Sequence, residues 1–248
     1  VPESLVLLHG FSGTRRAWDG VSALVDRERY LPIAIDLPGH GSQADAPRPI
    51  TFDGCVASVL ARAPGSFVLC GYSLGGRVAM HVALAAPQRV SRLLIIAASP
   101  GIEDERERAA RREADRALAD RLEREPFEDF IESWRSQPLF AQDPPHVGAL
   151  AREDQRRNRP DALAAVMRGI GAGEMQPLWP RLPELSMPTT ILVGDRDAKF
   201  TGIGRRMERL IAGARLTIAA GGHGLPLENP AAVAAALEGL DAEPGGAG

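Results

Sequence analysis

Three short stretches, far apart in the chain, carry side chains that together could activate a hydroxyl. They are Ser73 in Gly71-Tyr72-Ser73-Leu74-Gly75, an aspartate in Gly194-Asp195-Arg196-Asp197, and His223 in Gly221-Gly222-His223-Gly224. A serine alone is a weak nucleophile and a weak base, but bonded to an imidazole whose tautomer a carboxylate fixes, it can act as either. The G-x-S-x-G spacing suits a sharp strand-to-helix turn: the glycines remove Cβ atoms that would crowd strand against helix, and backbone strain at Ser73 leaves Oγ standing clear. Spacing does not decide between Asp195 and Asp197. Of the other histidines, His9 precedes Ser73 in a loop that its hydrogen bonds would shape. His81 falls within the helix after the turn and His146 in a Pro-rich stretch, so neither suits the base position.

Anion stabilisation needs donors as well. Leu5-Val6-Leu7-Leu8 is a wholly apolar run ending in His9-Gly10-Phe11-Ser12-Gly13, a loop able to aim the Phe11 N–H at a developing oxyanion. The Leu74 N–H is the second donor, left without an intrahelical acceptor because it starts a helix.

These residues need a sheet to position them. Leu5–Leu8, Tyr30–Ile35, Ser66–Cys70, Ser91–Ala98, Thr189–Val193 and Arg215–Ala219 read as strands. Segments of helical period fall between or after them: Arg15–Arg27 with Ala17, Trp18, Val21, Leu24 and Val25 on one face, Thr51–Ala61 with Thr51 as N-cap, Leu74–Ala86, Phe200–Ala212 and Pro230–Leu240. Such alternation predicts an α/β fold with a mostly parallel sheet covered on both faces. Asp36, in the turn-rich Asp36–Ser42, is expected to make structural hydrogen bonds. Glu103 to about Leu182 departs from this pattern. It is rich in Arg, Glu, Asp and Ala, then carries Phe127, Phe130, Ile131, Trp134, Leu139 and Phe140. We read residues 103–182 as a helical cap over a core of 1–102 and 183–248, most of its arginines lying on a solvated, ion-paired face. Asp241–Gly248 reads as a frayed tail.

Composition narrows the function classes. With 248 residues and 44% hydrophobic side chains the chain can bury a sizeable core, and a net charge of −3 lacks the broad basic field of nucleic-acid binding. No apolar run reaches membrane-span length and no signal-peptide pattern opens the chain, so a cytoplasmic protein is expected. Cys55 and Cys70 have no metal-ligand spacing and read as buried thiols. No metal and no cofactor are called for, and composition leaves the oligomeric state open.

The order Ser73, Asp197, His223, each after a different strand, together with Leu8–Gly13, Asp36–Gly41 and Gly71–Ala79, resembles the α/β-hydrolase superfamily. Within it, Arg77 after the turn, the pattern Arg111, Asp115-Arg116, Trp134, Gln137-Pro138 and Phe140, and Gly194–Phe200 resemble the 2-succinyl-6-hydroxy-2,4-cyclohexadiene-1-carboxylate synthases, lyases of menaquinone biosynthesis. The resemblance favours Asp197 over Asp195. It also implies that a Ser73–Asp197–His223 triad removes a ring proton and pyruvate leaves, while Arg77, Arg111 and Arg156 hold carboxylates of a small anionic substrate. Arg157 and Arg159 are alternatives to Arg156, and Tyr72 and Trp134 are candidate ligand contacts. Only eight residues precede His9, little room for the antiparallel strands that usually open this fold, so either that edge is trimmed or the sequence is shortened at its start. The competing expectations are a serine carboxylester or C–C hydrolase, for which the arginines have little use, and a noncatalytic receptor, which needs no intact triad.

Overall fold

In the computed structural model, which describes residues 1–241, the strands are β1 (Glu3–Leu8), β2 (Tyr30–Ile35), β3 (Phe67–Tyr72), β4 (Val90–Ile96), β5 (Thr189–Gly194) and β6 (Arg215–Ala219). They form one sheet in the order β2-β1-β3-β4-β5-β6, and every neighbouring pair is parallel. Among the described residues no antiparallel strand precedes β1. The apolar run of β1 explains the layering. Alternate side chains leave a strand on opposite faces, so Val6 and Leu8 join one core with Val59, Val78 and Met207, while Leu5 and Leu7 join another with Trp18, Val233 and Leu237. Edge strands have one open side, where Leu31 of β2 is 54% and Ile218 of β6 is 47% exposed.

The helices are α1 (Asp19–Leu24), α2 (Phe52–Arg62), α3 (Leu74–Ala85), α4 (Glu105–Arg124), α5 (Phe127–Arg135), α6 (Pro145–Gln155), α7 (Pro160–Ile170), α8 (Ala198–Leu210), α9 (Leu225–Glu228) and α10 (Pro230–Glu238). Thr51 caps α2 as expected, its side chain accepting from the Gly54 N–H. The segment read as a helix over Arg15–Arg27 is shorter: a 3₁₀ turn, Arg15–Trp18, leads into α1, which ends at Leu24 because Val25 is extended. Leu24, the last residue of α1, is 52% exposed and does not join the buried face of Val21 and Val25. Cys55 and Cys70 are buried and free. Except for the Asp241 backbone, the tail read as frayed lies outside the described residues.

Helices α4 to α7 all fall between β4 and β5. Three of them, α4, α5 and α7, share a small apolar cluster of Ala119, Leu122, Phe130, Leu163, Ala164 and Met167. Most of their arginines are ion-paired on the surface, as Arg121 with Glu125 at 2.9 Å and Arg168 with Glu123 at 2.6 Å. An aromatic run leads inward from this cluster: Phe130 stacks near Trp134, with centroids 6.1 Å apart, and Trp134 meets Phe11 edge-on at 5.0 Å.

Candidate active site

The turn from β3 into α3 places Ser73 at φ 53° and ψ −110°, a strained conformation held by the Ser73 N–H donating to the Ile96 carbonyl at 2.9 Å. Glycine is required on both sides. A Cβ on Gly71 would lie 2.3 Å from the Gly75 oxygen, and one on Gly75 would lie 2.1 Å from the Leu8 oxygen, far inside van der Waals contact. Ser73 Oγ lies 3.1 Å from His223 Nε2, and His223 Nδ1 lies 2.8 Å from Asp197 Oδ2. The imidazole is enclosed by rings: Phe200 at 4.7 Å, Tyr72 at 5.4 Å and Phe140 at 6.0 Å between centroids. Asp195, which spacing could not separate from Asp197, instead accepts the Gly221 N–H at 3.0 Å. It supports the histidine loop without reaching the ring.

The loop after β1 lies against the same turn, for a Cβ on Gly10 would fall 3.5 Å from Ser73 Cβ. Neither the Phe11 nor the Leu74 N–H has a hydrogen-bond acceptor among the described residues. His9 shapes this loop. Its Nδ1–H donates to the Gly10 carbonyl at 2.8 Å, and its Nε2 accepts the Leu37 N–H at 3.0 Å, a pattern that only the neutral ring can make. Burial, the largest influence, lowers the His9 pKa and keeps it so. Asp36 accepts from the Arg15 N–H at 2.7 Å and from the Ser42 N–H and hydroxyl at 3.0 and 2.7 Å, fixing the neighbouring loop. Above Ser73 opens a cavity of about 990 Å³, lined by Phe11, Tyr72, Trp134 and Phe140 and by the cations Arg77, Arg111, Arg196 and Lys199.

A profile of the alpha/beta hydrolase family matches residues 5–236. The 2-succinyl-6-hydroxy-2,4-cyclohexadiene-1-carboxylate synthase of Enterobacter sp. (strain 638) is 37% identical over 240 residues, 94% of this chain and 89% of that protein. A putative synthase of the same name from Bacillus subtilis (strain 168) is 31% identical, over 92% of this chain and 86% of that protein. MenH from S. aureus superposes with a TM-score of 0.88 at 31% identity, over 96% of this chain and 92% of that one. The chain belongs to the 2-succinyl-6-hydroxy-2,4-cyclohexadiene-1-carboxylate synthase family of the α/β hydrolases. An enol-lactonase from Burkholderia xenovorans LB400, with a TM-score of 0.80 at 20% identity, shares the fold.

Of the arginines that resemblance to the synthase family singled out, two reach the cavity. Arg77 is partly buried, donates to the Ile170 carbonyl at 2.9 Å, and has its pKa held down to about 10, first by burial and then by nearby Arg111. Arg111 donates to Asp115 at 2.7 Å. Arg156 does not join them. It follows the end of α6 on the outer surface, pairing with Glu128 at 2.8 Å with 49% of its side chain exposed. Arg157 and Arg159 also face outward, paired with Glu153 at 2.9 Å and with Asp45 at 2.6 Å. The residues of this stretch that turn inward are Gln155 and Asn158. Two cavity cations escaped the sequence reading, Arg196, paired with Glu228, and Lys199, whose Nζ lies 5.7 Å from the Phe200 ring centroid. Both flank Asp197 where β5 ends, and that adjacency was the available signal.

Proposed function

We propose that Ser73, His223 and Asp197 take a ring proton from 2-succinyl-5-enolpyruvyl-6-hydroxy-3-cyclohexene-1-carboxylate, so that pyruvate leaves and 2-succinyl-6-hydroxy-2,4-cyclohexadiene-1-carboxylate remains. Members of this family are carbon–oxygen lyases of menaquinone biosynthesis. What carries the assignment of roles is the hydrogen-bonded series Ser73–His223–Asp197 beneath a cavity lined with cations.

The acidic ring proton is the one next to the succinyl ketone. Ser73 Oγ accepts it while passing its own proton to His223 Nε2, and Asp197 holds the imidazole in the receptive tautomer and steadies the imidazolium. Negative charge builds on the ketone oxygen, where the Phe11 and Leu74 N–H groups receive it. The electron pair then moves through the ring double bond and breaks the carbon–oxygen bond to the enolpyruvyl group. The departing enolate recovers the proton from His223 through Ser73 and leaves as pyruvate. No water is consumed and no acyl-enzyme forms. Arg77 and Arg111, with Lys199 beside Asp197, orient the carboxylates, and residues 103–182 act as the cap that closes the site from water.

Incubating the protein with this substrate should release pyruvate in step with conjugated-diene absorbance, one for one, without uptake of oxygen from labelled water. Turnover of simple neutral esters with no pyruvate from the enolpyruvyl substrate would establish a hydrolase instead.

A further inference from the structure

The loop that carries the Phe11 N–H is gripped from the inserted helices at its most strained point. Ser12 has φ 60°, a left-handed conformation that side chains other than glycine rarely take. Its carbonyl accepts from Asn158 Nδ2 at 2.7 Å, and its hydroxyl accepts from Gln155 Nε2 at 2.8 Å. Two residues on, the Thr14 N–H donates to Asp154 Oδ2 at 2.7 Å and the Thr14 hydroxyl to Asp154 Oδ1. Asn158 also reaches the next loop, its Oδ1 accepting the Gly41 N–H at 2.9 Å. Asp154, Gln155 and Asn158 are only 6%, 4% and 5% exposed, so these bonds are shielded from competing water.

The strained turn matters because of what it aims. The Gly10 carbonyl and the Phe11 N–H belong to one planar peptide and point in opposite directions. That carbonyl is pinned by the His9 Nδ1–H at 2.8 Å and by the Gly13 N–H at 3.2 Å. In this turn the Gly13 N–H folds back onto it across a left-handed Ser12. For Ser12 to relax to a negative φ with the turn still closed, the Phe11–Ser12 peptide must flip, which changes the backbone on which the Phe11 N–H is aimed. We infer that Gln155 and Asn158, supported by Asp154, are positioning residues for the oxyanion donor, holding Ser12 so that the Phe11 N–H stays aimed at the charge developing above Ser73. The inference rests on the role proposed above for the Phe11 and Leu74 N–H groups.

Gln155 offers the discriminating variant, because its Oε1 is buried with no partner among the described residues. Gln155→Leu removes that unsatisfied acceptor but leaves the buried Ser12 hydroxyl without its donor, so one orphaned group replaces another and the loss of stability is that of a single hydrogen bond. The measurements are kcat and KM for pyruvate release, kcat for a small activated ester whose tetrahedral intermediate uses the same donors, and the thermal midpoint. Gln155→Leu should lower kcat about tenfold, short of the roughly 10²- to 10³-fold seen when an oxyanion donor is deleted, with KM within twofold and the midpoint lowered by no more than about 5 °C. Ser12→Ala breaks the same bond from its other end, so combining it with Gln155→Leu should add little further loss. Unchanged kcat, a loss confined to KM, a kcat loss that tracks a lowered midpoint, or losses that multiply in the double variant would each overturn the inference. A wild-type protein that turns over the ester and releases no pyruvate refutes the lyase reading alone, and the same comparison is then read on the ester.

Discussion

Replacing Arg77 by Met tests whether its charge is kept for a ligand. Within the fold that charge is poorly accommodated. Arg77 has a backbone carbonyl, that of Ile170, for its hydrogen-bond partner and Arg111 for a neighbour, and its pKa sits at about 10 in place of 12.5. At about 1.4 kcal/mol per tenfold in the proton equilibrium, the depression is worth on the order of 3 kcal/mol. Screening at a partly exposed site reduces that to about 1 to 2 kcal/mol. Losing the bond to the Ile170 carbonyl costs about 1 to 3 kcal/mol. The two nearly cancel, so Arg77→Met should leave the thermal midpoint within about 4 °C of wild type. Catalysis has no such offset: a charge-assisted bond to a substrate carboxylate is worth about 1.5 to 3 kcal/mol, so kcat/KM for pyruvate release should fall about 10- to 150-fold. Arg156→Met is the matched control, because it removes an arginine whose partner is the exposed Glu128, and kcat/KM should not move. The reasoning fails if Arg77→Met keeps kcat/KM within twofold of wild type, or if its loss matches the fraction unfolded.

The two aspartates after β5 should separate cleanly. Asp197→Asn disturbs the 2.8 Å contact to His223 and should reduce turnover by about 10⁴-fold with folding intact, whereas Asp195→Asn keeps an acceptor for the Gly221 N–H and should cost no more than a few-fold in rate; the reverse ranking in steady-state kinetics would reassign the carboxylate. Ser73→Ala should lose nearly as much rate as Ser73→Ala with His223→Ala, since groups that act as a unit are not additive, and multiplying losses would reject the unit. His9 and His40 are fully buried, and burial holds the His40 pKa at about 3 and also lowers that of His9. Both stay neutral in the fold but gain a proton when the chain unfolds below about pH 6.5. Their contribution to stability is therefore complete above that pH and is lost as pH falls below it, for His40 down to about 3, with a slope of up to about 1.4 kcal/mol per pH unit for each. Urea unfolding from pH 7 to 5 should show it, and His40→Asn should flatten it; an unaltered slope would contradict this account.

How much of this could be read from sequence depended on whether a residue's direction was set locally. The runs Leu5–Leu8, Leu69–Cys70 and Leu93–Ile96 are apolar at every position because a parallel sheet is covered on both faces, and the strands lie where those runs do. Ser73 follows β3 directly and Asp197 and His223 lie in the loops just after β5 and β6, and all strands run the same way, so the sheet gathers them at one edge. The inserted helices have no such rule. The run Arg156-Arg157 followed by Arg159 looks uniform in composition, and which side chain faces the site depends on where α6 ends and how it docks, a tertiary matter. Gln155 is the last residue of α6 and turns inward; Arg156 is one position later and turns out. Arg196 and Lys199 were legible in principle, but they read as neighbours in a motif and their charge was overlooked.

A hydrolase triad can serve an elimination because the two chemistries ask for the same early groups. Ester cleavage needs a base beside a serine oxygen and donors for the negative charge appearing on a carbonyl oxygen. Proton removal next to a ketone puts charge on the same kind of oxygen and calls for the same donors. The reactions part at whichever atom sits over Ser73 Oγ: a carbonyl carbon is attacked, while an acidic C–H is deprotonated. Placement of the substrate therefore decides the outcome, and in the proposed reaction the anchors are three residues that line the cavity, Arg77 on α3, Arg111 on α4 and the ring of Trp134 after Phe130 on α5. Two of these three lie in the inserted helices, and the same insertion supplies the buried side chains that hold Ser12. In the proposed reaction the sheet thus provides the proton relay, whereas the insertion determines which atom meets it.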